Sequence, residues 1–138
     1  MTKNIGMLSI YCLATMFCQL PIAAYSSPNP DNSDLHRVTV SAYTNSSRCT
    51  DSTPGRTASS MRIRPEHYRK VVALSHDLAR NYEFGDRFYL VVNGKSHLVE
   101  FQDLMPKKHK NKIDFLLPSR RDCMRFGVTQ GVLIPVVD

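Results

Sequence analysis

Asp103 and Asp114 are the residues of this chain best suited to chemistry. They lie in the segment VEFQDLMPKKHKNKIDFLLP, each at the edge of an apolar, strand-like run, with a basic stretch between them. A hairpin folded at that stretch would carry both carboxylates to one end of a sheet. Two carboxylates held close can share acid–base work. One is kept protonated by burial and by its neighbour's charge, while the other stays ionised. That division of labour suits cleavage of a bond between sugars. Plainer roles fit the same residues: Asp103 as a turn-starting residue, and Asp114 as an acceptor for backbone donors at a sheet seam. Asp114 stands between Ile113 and Phe115, an apolar setting that favours the protonated form.

The stretch between the acids holds Lys107, Lys108, Lys110 and Lys112 with His109. It reads either as a solvated loop tip or as a clamp for anions beside the acids. Tyr43 closes an earlier strand-like run and offers a ring for stacking on a sugar face or for core packing. Asp77 follows Ser75 at the start of a short helical pattern, where an acid is favoured near the positive helix end. The five histidines show no metal-ligand spacing, and no serine or cysteine nucleophile with a base is visible. No metal or cofactor is therefore expected.

The elements that must position these residues are short. Residues 1–26 have a lysine near the start, an apolar run, a Pro break and small residues at Ala24 and Ser26, the layout of a secretory signal peptide. Residues 27–36 read as a flexible lead-in, rich in Pro, Asn and Ser. The domain proper spans 37–138. Alternation at Val38, Val40 and Ala42 marks a strand. Further strands are expected at Met61–Arg64, Val71–Leu74, Arg87–Val92, Lys95–Asp103, Lys112–Leu116 and Val132–Val137. Asn93-Gly94 is a type I′ hairpin signal. Short helices are expected at His76–Tyr82, capped by Ser75, and from Ser119 to Phe126, where Ser119 and Asp122 form a capping box and Gly127 ends the helix. Strands joined by turns, in a chain with room for one core, favour a compact mainly β barrel over a doubly wound α/β sheet.

Export sets how cysteine and charge are read. Two of the four cysteines fall in the leader, which leaves Cys49 and Cys123 as an expected disulfide in an oxidising compartment. With 18 basic and 12 acidic side chains the formal charge is +6. Only Lys3 among the charged residues belongs to the leader. A basic exported domain favours anionic envelope polymers. Nucleic acid is not expected, since no reader motif is present. Nor is stable membrane insertion expected after leader removal.

VTVSAYT, DSTPGRTAS, VVALSHDLA, FGDRFYL, FQDLM, NKIDFLLPSRRDCMRFGV and VLIPVV occur in that order over Arg37 to Asp138. In this the chain resembles exported bacterial proteins of the 3D domain, named for three aspartates. That domain is a double-psi β-barrel shared with murein lytic transglycosylase A. The resemblance implies a six- to seven-stranded double-psi barrel with two short helices, located in the periplasm, secreted, or associated with the cell wall or outer membrane. It implies Asp103 and Asp114 as the second and third aspartates, with Asp114 the catalytic acid. Asp77 is matched to the first, although Ser75 holds the nearer position. A Gly-Gly loop of the family is replaced here by LMPKKHKNK. The implied function is peptidoglycan cleavage of the lytic transglycosylase type. The alternative is a non-catalytic module that binds peptidoglycan or another anionic polysaccharide. A monomer is expected.

Overall fold

The computed structural model describes residues 35–46 and 55–137. The leader, most of the lead-in and Cys49 lie outside the described residues. Six strands close into a barrel: β1 (His36–Tyr43), β2 (Val71–Leu74), β3 (Arg87–Val92), β4 (Lys95–Leu104), β5 (Lys112–Leu116) and β6 (Thr129–Pro135). They neighbour one another in the order β1-β5-β2-β4-β3-β6. Two pairs are parallel, β1 with β5 and β2 with β4, and the other four are antiparallel. This is the compact mainly β barrel expected from the sequence pattern, in the double-psi form that the resemblance implies. Closure leaves no strand edge unpaired.

Alternation along each strand builds the interior. Val38, Val40, Val72, Leu74, Phe88, Leu90, Val99, Phe101, Ile113, Phe115 and Leu133 are almost wholly buried and form one cluster. A second, smaller cluster holds Tyr43, Ile63, Val71, Ala73, Met105 and Leu116, with Met61 and Tyr68 against it. Ala73 sits between the inward residues Val72 and Leu74, so this second cluster lies on the outer face of the sheet. The segment from Gly55 to Lys70 supplies its cover. That segment forms no strand at Met61–Arg64. A single bridge joins Arg56 to Arg62, and a 3-10 turn follows at Pro65–His67. Pro65 lacks the N–H that a continuing ladder would need.

The hairpin at Asn93-Gly94 has positive φ at both residues, 50° and 72°, as a type I′ turn requires. Helix α1 is short, His76–Ala79, and Ser75 makes no side-chain cap on it. The Ser75 hydroxyl instead accepts the Lys112 N–H at 3.1 Å, tying the end of β2 to the start of β5. Helix α2, Arg120–Phe126, has the expected cap. Ser119 accepts the Asp122 N–H at 3.1 Å, and Gly127 ends the helix at φ 68°.

β4 and β5 do not pair as a hairpin. β2 lies between them, parallel to β4 and antiparallel to β5. The basic stretch is therefore a crossover over the end of β2, not a hairpin tip.

Candidate functional site

The crossover still brings the two acids together. Ala73 is the register partner of Asp103 on one side and of Asp114 on the other, and Asp114 is in turn opposite Ser41. Register partners share a face. Ser41, Asp114, Ala73 and Asp103 thus form one row across four neighbouring strands on the outer face. Two strand spacings place the Asp103 and Asp114 Cα atoms about 9.5 Å apart. Both carboxylates are partly exposed, while Ala73 between them is buried.

A bulge makes this possible. Val72 pairs with Phe101 but Ala73 pairs with Asp103, so Gln102 is an extra residue in β4. Strict alternation from Val99 and Phe101 would turn Asp103 into the barrel. The bulge re-aims it outward. Gln102 is then free to hold the covering segment: its side chain takes the Ser59 hydroxyl, and its carbonyl accepts the Ser59 N–H at 3.1 Å.

Asp103 is tightly held. Its Oδ1 accepts the N–H groups of Ala58 and Leu104, each at 2.9 Å, and its Oδ2 accepts the Tyr43 hydroxyl at 3.1 Å. In each of these three contacts the neighbour donates, so Asp103 serves there as an acceptor. Asp114 accepts the Ser41 hydroxyl on Oδ1. Tyr43 lies within the electrostatic reach of both acids. Its phenol is pushed far above the ordinary tyrosine range, first by burial, then by the charge of Asp103 and their hydrogen bond, and last by the charge of Asp114. It remains a neutral donor. With 8% exposure its ring belongs to the outer apolar cluster, and its hydroxyl is spent on Asp103, so the ring face is not offered for stacking.

The other expected site residues are placed as follows. Asp77 is not in the acid row. Its Oδ2 accepts the Asn111 N–H at 2.8 Å, pinning the crossover against the start of α1. The Ser75 hydroxyl is the main influence holding the Asp77 carboxyl below the usual carboxylate range. Partial burial opposes it, and the Asn111 N–H adds to it. Lys107, Lys108 and Lys110 are exposed on the crossover, and Lys112 is half-buried on β5. Lys112 is two residues from Asp114 and shares its face. Cys123 is half-buried on α2 and packs against the core. No cluster of metal-binding side chains occurs among the described residues.

Ser41, Ala73, Ala58 and Gln102 were not expected at the site. The alternation of β1 does turn Ser41 outward, but which residue faces it depends on a parallel pairing with β5 that no local pattern encodes.

No protein-family profile and no curated protein matches the chain. Solved structures do. An expansin from Clavibacter michiganensis superposes with a TM-score of 0.54 at 14% identity, over 75% of this chain and 51% of the expansin. A Streptomyces papain inhibitor gives 0.53 at 17% identity, over 75% of this chain and 94% of the inhibitor. The lytic transglycosylase MltA from E. coli gives 0.46 at 16% identity, over 65% of this chain and 30% of MltA. The chain thus spans about half the length of the expansin and less than a third of MltA. No helix among the described residues is long and apolar enough to cross a membrane. At these identities the expansin and the inhibitor establish the barrel fold of this chain.

Proposed function

We propose that this chain is an exported 3D-domain protein that cleaves cell-wall glycan by lytic transglycosylation, with Asp114 as the acid and base. The observation that supports this is the outward row Ser41, Asp114, Ala73, Asp103, which sets one lightly held carboxyl beside one firmly held carboxylate. Asp114 gives its proton to the glycosidic oxygen as that bond breaks. It then takes a proton from the same sugar's 6-hydroxyl, whose oxygen closes on the anomeric carbon. The product is a 1,6-anhydro sugar, and Asp114 ends protonated as it began. A single group serves both steps, so no second catalytic carboxyl has to approach. Asp103 holds the turn around Ala58 in place and lends negative charge to the oxocarbenium-like state. The exposed lysines of the crossover meet the carboxylates of the wall polymer.

A binding module is the second reading. It draws support from Asp103, whose carboxyl already accepts three donors of the chain itself. Release of soluble glycan from purified sacculi, compared for the wild type, Asp114→Asn and Asp103→Asn, separates the two. The enzyme reading expects no release by Asp114→Asn and partial release by Asp103→Asn. Binding without release by all three proteins favours the module.

A further inference from the structure

A concavity lies on the face of β5 opposite to that of Asp114. It has a volume of about 360 Å³ and opens where the tip of the β3–β4 hairpin, residue Arg69 ahead of β2, and helix α2 meet. Phe115, next in sequence to Asp114, faces inward and forms part of its floor with Phe126, their ring centres 6.1 Å apart. His97 lies 5.2 Å from Phe115. Arg69, Lys95 and Arg125 line the walls, and none of them has an ion-pair partner among the described residues. The one carboxylate in the lining, Asp122, accepts the Ser119 hydroxyl at 2.5 Å within the α2 cap. Three cations and one carboxylate thus face a small apolar-floored cavity, which leaves it net positive.

The charge at this spot is felt inside the cavity. His97 is held below the ordinary histidine range, first by burial and then by the charges of Arg69 and Lys95. The volume falls in the lower part of the range for ligand cavities, about 300–1,000 Å³, and so suits one ring rather than a length of polymer. Guanidinium groups bind oxyanions through paired parallel hydrogen bonds, and aromatic side chains accept the apolar face of a ring.

We propose that this cavity binds an oxyanion carried on a single sugar ring, with Arg69 and Arg125 gripping the oxyanion, Lys95 adding charge, and Phe126 meeting the ring. The sugar identity rests on the wall-glycan reading, while oxyanion recognition rests on the cavity alone. Carboxylate and phosphate share the required chemistry, and the test distinguishes them.

Glucuronate, glucose 6-phosphate and glucose are titrated separately into 15N-labelled protein, with amide shifts followed by NMR. Saturable shifts at Arg69, Lys95, His97 and Arg125 are expected with one or both charged sugars and not with glucose. The stronger of the two names the source as a carboxylate or a phosphate. Arg125→Gln, at an exposed helix position that Gln suits, should weaken binding about tenfold with the remaining spectrum unchanged. Asp114→Asn should bind as the wild type does, so loss of cleavage and loss of this site are told apart. No shifts with either charged sugar, equal shifts with glucose, or undiminished affinity in Arg125→Gln would each overturn the proposal.

Discussion

Replacing Tyr43 with Phe tests how the acid row is held. The ring stays in the outer apolar cluster, and only the hydroxyl that donates to Asp103 is lost. A hydrogen bond to a charged group contributes about 1.5–3 kcal/mol. Asp103 keeps its two backbone donors, so a cost near the lower end, about 1.5 kcal/mol, is expected at neutral pH. The pH dependence is more telling. The phenol of folded Tyr43 is raised far above its unfolded value near 10, so above that pH the unfolded chain releases a proton that the folded chain keeps. The stability tied to this group is fully present below about pH 10 and is lost as pH rises towards the folded value. One such group removes about 1.4 kcal/mol between pH 9 and pH 11. Tyr43→Phe has no proton there to release, and every other titrating group is common to both proteins. Urea unfolding at pH 7, 9, 10 and 11 should therefore show the two proteins about 1.5 kcal/mol apart at neutrality and nearly equal at pH 11. Parallel curves over the whole range would refute the buried phenol, and with it the anchoring of Asp103.

Three further outcomes follow from the same architecture. Deleting Gln102 removes the extra residue of the bulge yet leaves Phe101 inward and Asp103 outward in regular register with Val72 and Ala73. The variant should fold with a loss of about 1–3 kcal/mol from the severed Ser59 contacts, read by urea unfolding, and failure to fold would contradict the assigned bulge. In Gly131→Ala the new Cβ meets Val40 Cγ2 at 2.8 Å and the Val91 carbonyl at 3.0 Å, both held in the barrel wall. A loss of about 1–3 kcal/mol, with Tm falling roughly 4–8 °C per kcal/mol, should appear by calorimetry, and an unchanged Tm would contradict the close approach of β6 to β1 and β3. Replacing Lys107, Lys108 and Lys110 together by Ser should weaken sacculus binding several-fold at low salt and little at high salt, because exposed charges are screened. Equal binding by both proteins at low salt removes the crossover as an anion clamp.

Much of the barrel was written locally. Alternation at Val38 and Val40, the Asn93-Gly94 turn and the Ser119 cap each depend on neighbours a few residues away, and each appears where expected. The acid row depends instead on long-range pairing. Asp103 and Asp114 meet because β2 enters between their strands, and because one bulge residue changes the face Asp103 presents. Neither event leaves a periodic mark on the sequence, so the reading of a direct hairpin between the acids chose the nearest pairing over the true one. Ser75 shows the same limit: its position fits a helix cap, but the Lys112 N–H from another strand takes its hydroxyl. Tyr43 is a third case, since a strand-end aromatic suits either surface or core until the segment that covers it is placed.

The most direct test of the account is the mass of the glycan ends released when the purified protein is incubated with sacculi. Transfer through Asp114 predicts muropeptides lighter by one water than their hydrolysed counterparts, formed by the wild type and absent with Asp114→Asn. Hydrolysed ends, or anhydro ends that persist in Asp114→Asn, would contradict it.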